Sequence, residues 1–297
     1  MAKRGDPIDG VMLLDKPLGM SSNAALQTVR RLVNGQKAGH TGTLDPMATG
    51  LLPLCFGNAT KFSADLLHAN KGYVARVRLG EVSSTGDAEG EIIERHPVDV
   101  APQALEAAVS AFLGEIVQIP PMYSALKVNG KCLYQLARQG ETVERAPRTV
   151  TVHEIAASDF DGTSFTLACL VSKGTYIRVL AEDIGRRLGC GAHLTALRRT
   201  RVGDLSIDDA VTVETLESCG SPEQARLHLK GADSLLQTFE AVTLDEMQAA
   251  RFMTGQRLAL GLTMRGRVRV YGPNNMLLGT ARANERGVLE PERLIAH

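Results

Sequence analysis

The stretch 39–56, GHTGTLDPMATGLLPLCF, constrains this chain more than any other. Its second half is an apolar run that reads as the edge of a buried strand. Its first half is a loop: Gly39, Gly42 and Gly50 relax the backbone, Pro46 fixes its exit, and Thr43 can hydrogen-bond the local backbone. Asp45 is therefore a carboxylate held on a loop against a core strand, with His40 five residues upstream. An enzyme presents an acid to a substrate in this way. A plain Asp-Pro turn, in which Asp45 only caps the backbone, accounts for the same residues.

At 297 residues the chain can hold one large domain, or a large and a small one. Its 33 basic and 33 acidic residues argue against a polycation, but the local distribution is uneven. Residues 204–246 carry ten acids and two bases, Arg226 and Lys230, whereas residues 251–284 carry six arginines and no acid. The second stretch is a candidate phosphate-facing surface or a solvated β surface. The five cysteines (55, 132, 169, 190, 219) contain no C-x-x-C pair, and the lone Cys190-x-x-His193 lacks the second pair of a structural zinc site. A reducing compartment is expected. The polar opening MAKRGDPIDG predicts no signal peptide, and no apolar run approaches the roughly 18 residues of a membrane span. The expected location is the cytoplasm, with no membrane association.

Along the chain, residues 10–14 read as a strand, followed by a DKPLGMSS loop in which Lys16 could reach a phosphate or simply lie on the surface. Ser21 or Ser22 can cap a helix with Ala25, Val29, Leu32 and Val33 inward. Residues 58–67 suggest a short helix. GYVARVRLG, 72–80, alternates, with Tyr73, Ala75, Val77 and Leu79 on one face. Asp87 lies in the following loop, where it forms a turn. A helix is expected at 102–113. Residues 114–148 read as a basic, tyrosine-bearing excursion containing Lys127, partly helical near Tyr134–Arg138. Strands are expected at 149–155 and 164–171, and an amphipathic helix within 172–189. Residues 212–240 look helical and acidic. From 241 to 297 short strands and turns predict a small β-rich domain, so the domain reading is 1–240 and 241–297.

The ordered motifs GVMLLDKPLGMSS, AGHTGTLDPMATGLLPLCFGNATKF, YVARVRLG with its STGDAEG loop, QIPPMYSALKVNGKCLYQLARQG and SKGTYIRVLAEDIGRRLGCGAHLTALRRTRVG resemble the TruB-type tRNA pseudouridine synthases over about residues 8–215. Met47 stands where leucine is usual, and Val171 where a cysteine often precedes SKGTYIR. The resemblance implies an α+β pseudouridine synthase fold: a long mixed, mainly antiparallel sheet, plus a small PUA-like RNA-binding domain at the C-terminus. It implies isomerisation of the uridine at position 55 in the TΨC loop, with tRNA (through its T arm) as partner. No cofactor, metal or protein partner is implied, and a monomer is expected.

That reaction breaks the N1–C1′ bond, turns the uracil and joins C5 to C1′. It needs one nucleophile or base that stays ionised in a dry pocket. Asp45 can attack C1′, attack C6 or remove a C2′ proton. Desolvation would protonate such a carboxylate unless a cation opposes it, and the family motif supplies Arg178. By resemblance Tyr73 stacks on the flipped base, worth about 1–3 kcal/mol, and can help remove the C5 proton. Tyr176 and Leu197 complete the pocket wall, and His40 takes the space of the extruded base. Asp87 holds pocket loops or contacts the substrate. Lys16, Lys61, Lys127 and Arg198–Arg201 are candidate phosphate contacts. An aspartyl phosphotransferase would want a second carboxylate where Met47 stands. A tRNA-binding protein with incidental catalysis is the other reading.

Overall fold

The computed structural model describes residues 5–124, 126–128 and 130–295. The first part of the chain runs β1 (Gly10–Lys16), α1 (Ser22–Leu32), β2 (Ala38–His40), β3 (Ala48–Phe56), α2 (Ser63–Leu67), β4 (Lys71–Leu79), β5 (Glu81–Ser83), β6 (Ile92–Arg95), α3 (Pro102–Ser110) and β7 (Gly114–Gln118). An excursion with β8 (Lys127–Val128), β9 (Lys131–Cys132) and α4 (Leu133–Arg138) leads to β10 (Arg148–Ser158). Then come β11 (Ser164–Val171), α5 (Ile177–Arg187), β12 (Ala192–Val202), β13 (Leu205–Ser206), α6 (Val213–Ser218) and α7 (Pro222–Arg226). The last part holds β14 (Glu240–Thr243), α8 (Glu246–Met253), β15 (Leu258–Ala259), β16 (Gly266–Tyr271), β17 (Leu277–Ala283) and β18 (Val288–Leu294).

A nine-stranded sheet dominates, in the order β1-β3-β12-β4-β11-β10-β7, with β2 joined to β3 and β13 to β12. Among the described residues, β3 and β12 are the one parallel strand pair of this sheet; its other strand pairs are antiparallel. The long, mainly antiparallel mixed sheet is thus present. The alternation of β4 does what it predicts: Ala75, Val77 and Leu79 are buried, while Val74 is exposed on the other face. The apolar run of β3 is not an edge, because β1 lies on one side and β12 on the other. That position explains its continuous burial.

Residues 212–240 are not one helix. Pro222 can start a helix but not continue one, so α6 and α7 are separate short pieces, followed by a 3-10 turn at Ala232–Leu235. The small C-terminal sheet has the order β14-β16-β17-β18-β15 and its own core, including Val242, Phe252, Val268, Val270, Leu278 and Leu289. A turn at Pro273–Asn275 links β16 to β17, with Asn274 and Asn275 both at φ 58°, as left-handed asparagines allow.

Three of the six arginines in the C-terminal stretch face carboxylates. Arg267 pairs with Asp65 (2.5 Å) and Glu292 (2.7 Å), Arg282 with Glu292 (3.3 Å), and Arg257 with Glu290 (3.5 Å). Those carboxylates lie outside 251–284, so counting charge along the chain missed them. Arg293 also meets Asp65 at 3.0 Å. Asp65 sits in α2, so these pairs fasten the small sheet to that helix.

Candidate active site

The Asp45 loop is fixed at three consecutive residues. Ser21 caps α1 by accepting from Ala24 N at 3.2 Å, which frees Ser22 for another task. The buried Ser22 hydroxyl accepts from Leu44 N at 2.7 Å and donates to Leu44 O at 3.0 Å. Ala48 N donates to Asp45 O at 3.0 Å, and Gly19 N to Pro46 O at 2.8 Å. Leu44 and Met47 are buried in the main core. Held between them, Asp45 turns its side chain outward, and that side chain is 41% exposed.

Arg178 meets Asp45 from the first turn of α5. Its Nη2 donates to Asp45 Oδ2 at 2.9 Å and to Tyr123 O at 2.6 Å, and its Nη1 to Thr85 O at 3.1 Å. Its Nε lies 3.5 Å from Asp87 Oδ2. The guanidinium is 6% exposed, and two carboxylates and two carbonyls surround it. Asp87 is buried and accepts from Thr85 Oγ1 at 2.5 Å and Glu89 N at 3.1 Å. It is more than a turn former, because it completes the cage around Arg178. Gly86 beside it is at φ +74°, and a Cβ there would lie 2.3 Å from Glu182 Oε1 on α5. The left-handed φ favours glycine at this position. Partial burial, then the charges of Asp87 and Asp45, push the Glu89 carboxyl above its usual range.

Of the pocket residues expected beside Asp45, Leu197 and Tyr73 belong to one core. Leu197 is 9% exposed and pairs with Ala48 on β3 and Ala75 on β4. Tyr73 is half-buried against the same cluster and stands opposite Arg199 on β12 and Cys169 on β11. It lines a cavity of about 310 Å³ with Ala168, Cys169 and Thr200. Tyr176 is the N-cap residue of α5, two positions before Arg178. His40 lies at the end of β2, with Nδ1 buried and unpartnered. Burial first, and the Arg199 charge second, push its imidazole below the usual value, so it is neutral at pH 7.

Several basic residues are not where the sequence suggested. Lys16 is no loop residue: it ends β1, is 0% exposed, and donates to Pro17 O at 2.9 Å and Met20 O at 2.6 Å. It is sealed from any phosphate. Burial pulls its ammonium down to about 8, against the opposing pull of Asp45. Lys61 ends the 3-10 turn Gly57–Lys61 and donates to Leu294 O on β18 at 2.8 Å, tying that turn to the small sheet. Lys127 lies in β8, and its side chain falls outside the described residues. Arg198 is engaged with Asp15 at 3.0 and 2.7 Å, while the exposed Arg201 holds Gly203 O at 2.7 Å. Arg199 is 1% exposed and donates to Leu51 O at 2.8 Å and Gly42 O at 3.2 Å. It braces the loop from below.

The loop glycines differ in what surrounds them. A Cβ on Gly50 would lie 2.3 Å from Arg199 O, so Gly50 admits the β12 backbone. Only Gly39 faces open space.

Family models match nearly the whole chain. The N-terminal domain of TruB family pseudouridylate synthases covers residues 30–177, the C-terminal domain of tRNA pseudouridylate synthase B covers 178–237, and the C-terminal domain of pseudouridine synthase II TruB covers 241–295. A relative from Burkholderia mallei (strain NCTC 10247), called tRNA pseudouridine synthase B, is 55% identical over 302 residues and 99% of each chain. The chain belongs to the TruB family of pseudouridine synthases. A relative of the same name from Cupriavidus metallidurans is 55% identical over 97% of this chain and 94% of its own. A chain in the crystal structure of a Cbf5-Nop10-Gar1 complex superposes with a TM-score of 0.74 at 26% identity, covering 96% of this chain and 84% of that one.

A TruB-family synthase is an isomerase, so the site has to hold a reacting base rather than a co-substrate. Ser22 and Arg199 build the Asp45 loop, a role that the sequence signals only faintly. Ser22 was signalled only by a doubled serine where one cap suffices. Arg199 reads in the sequence, with its neighbours, as a candidate phosphate contact. The two-residue period from Leu197 puts it on the inward face, a signal present in the sequence.

Proposed function

We propose that this protein converts uridine to pseudouridine at position 55 in the T arm of tRNA, with Asp45 as nucleophile or base. The observation that carries this reading is the 2.9 Å pair between a solvent-reaching Asp45 and a buried Arg178. The buried Arg178 gives a charge-assisted hydrogen bond that holds the Asp45 carboxylate in one orientation for either role. The relatives called tRNA pseudouridine synthase B support tRNA as the substrate.

In this reading Tyr73 stacks on the extruded uracil and assists loss of the C5 proton. Tyr176 and Leu197 wall the pocket. The neutral His40 fills the gap left in the RNA, where an uncharged ring replaces a base at the least electrostatic cost. Asp87 orients Arg178. Lys127 and the excursion contact phosphates. Residues 1–240 do the chemistry as a monomer in the cytoplasm, and residues 241–297 bind RNA. Flipping the base costs a few kcal/mol, which this surface offsets.

The test is incubation with unmodified tRNA transcript, followed by carbodiimide–primer extension to map the product. A stop at position 55 with the wild type and none with Asp45→Asn is expected. Equal activity of the two proteins removes Asp45 from the chemistry, and a stop elsewhere overturns the assigned position.

A further inference from the structure

The excursion between β7 and β10 grips the start of α5 at two points. Gln118, the last residue of β7, is 1% exposed. Its Oε1 accepts from Tyr176 N at 3.0 Å, and its Nε2 donates to Tyr176 O at 3.2 Å. Five residues on, Tyr123 O accepts from Arg178 Nη2 at 2.6 Å. Gln118 pairs with Arg148 across the sheet, so this amide sits where the excursion leaves and rejoins it.

The need for that amide follows from local chemistry. Tyr176 is the N-cap residue of α5, extended at φ −102° and ψ 111°, and no side chain caps the helix. A tyrosine phenol cannot fold back onto the first helical N–H groups as Ser, Thr, Asp or Asn does. A carboxamide offers one acceptor and one donor arranged as in a peptide unit, so Gln118 pairs with Tyr176 as a neighbouring strand would. Ile116, two residues earlier on β7, packs against the core. A polar side chain on that same inward face costs stability unless it is hydrogen-bonded, and this one is bonded at both ends.

We propose that Gln118 is a positioning residue for the isomerisation: it fixes the Tyr176 backbone and thereby aims Arg178 at Asp45. The inference rests on the site reading above only in that Arg178 serves the reacting centre. Gln118 acts on the chemical step rather than on docking, because its amide is buried.

Gln118→Glu tests this with nearly the same shape. The ionised side chain still accepts from Tyr176 N but faces Tyr176 O without a proton. The protonated side chain donates and accepts as the amide does, and burial raises its pKa toward the accessible range. At pH 8 single-turnover pseudouridine formation in tRNA should fall by about 10- to 100-fold, the effect of one lost hydrogen bond and one misplaced charge. The variant-to-wild-type ratio should rise at least about five-fold between pH 8 and pH 5.5, with tRNA affinity within about three-fold throughout. Gln118→Leu should be slow at both pH values. Thermal melts of both variants identify loss of fold. A Glu variant whose ratio is the same at both pH values overturns the proposal, as does a folded Leu variant of wild-type rate. Asp45→Asn assayed alongside reports separately on the Asp45 reading: its full activity would sink that reading while leaving the Gln118→Glu ratio to decide this one.

Discussion

Arg178 and Asp45 are 2.9 Å apart, yet the guanidinium is 6% exposed and the carboxylate 41%. The buried partner is held by Thr85 O, Tyr123 O and Asp87, so the exposed one is oriented by a fixed charge. Lysine cannot replace this geometry, because an ammonium acts from one point while the guanidinium reaches four acceptors on several sides. Arg178→Lys is expected to lower turnover by about 10²–10³-fold, the range for losing a preorganised electrostatic group. Single-turnover kinetics with saturating tRNA check this. Wild-type turnover would show that the cage is not needed.

Ser22 bonds both backbone groups of the residue before Asp45. Ser22→Ala leaves a buried N–H and C=O unpaired, which should cost about 1–3 kcal/mol. It should also slow turnover more than it weakens tRNA binding, because Asp45 is displaced by its neighbour. Urea denaturation and parallel kinetics measure the two effects. A variant of unchanged stability would remove the clamp from the account.

Lys71 donates to the carbonyls of Leu66, Leu67 and Ala69 at 3.2, 3.0 and 2.6 Å, at and just beyond the end of α2. Burial, with smaller contributions from Arg199 and Lys173, lowers its ammonium to about 8. Lys16 is lowered to the same value. Between about pH 8 and the unfolded value of 10.5, the unfolded chain binds more protons than the folded one. Stability contributed by these lysines should therefore rise with pH across that window, by up to about 3 kcal/mol each. The penalty is present in full below it. Lys71→Met should flatten the rise in unfolding free energy measured from pH 7.5 to 9.5. An unaltered slope would exclude Lys71 as its source.

Asp65 is 10% exposed and faces both Arg267 and Arg293 across the junction of the two sheets. Arg267 also lies over the Phe239 ring, 4.8 Å from its centre. Asp65→Asn removes the charge that both guanidinium groups share and should cost about 1–3 kcal/mol. The small sheet should then loosen, seen as faster hydrogen exchange in β16 and β18 with the β4 and β12 core unchanged. Uniform exchange across the whole chain would mean that the junction is not a separate unit of stability.

The sequence by itself determined the long alternating strands, the α5 stripe, the placement of Asp45 on a loop, and the β-rich end. These follow from periods of two and 3.6 residues and from turn chemistry, which are local. Motif order added the family, and with it the expectation that Arg178, Tyr73 and Leu197 serve the site. Only the tertiary structure decided which charges are free. Lys16, Lys61, Arg199 and Arg267 look alike in a sequence, but whether a cation meets solvent, a carbonyl or a carboxylate depends on residues as distant as Leu294 from Lys61 and Asp65 from Arg267. The same holds for Ser22 on Leu44 and Gln118 on Tyr176, because hydrogen-bond partners across a core leave no local periodicity to read.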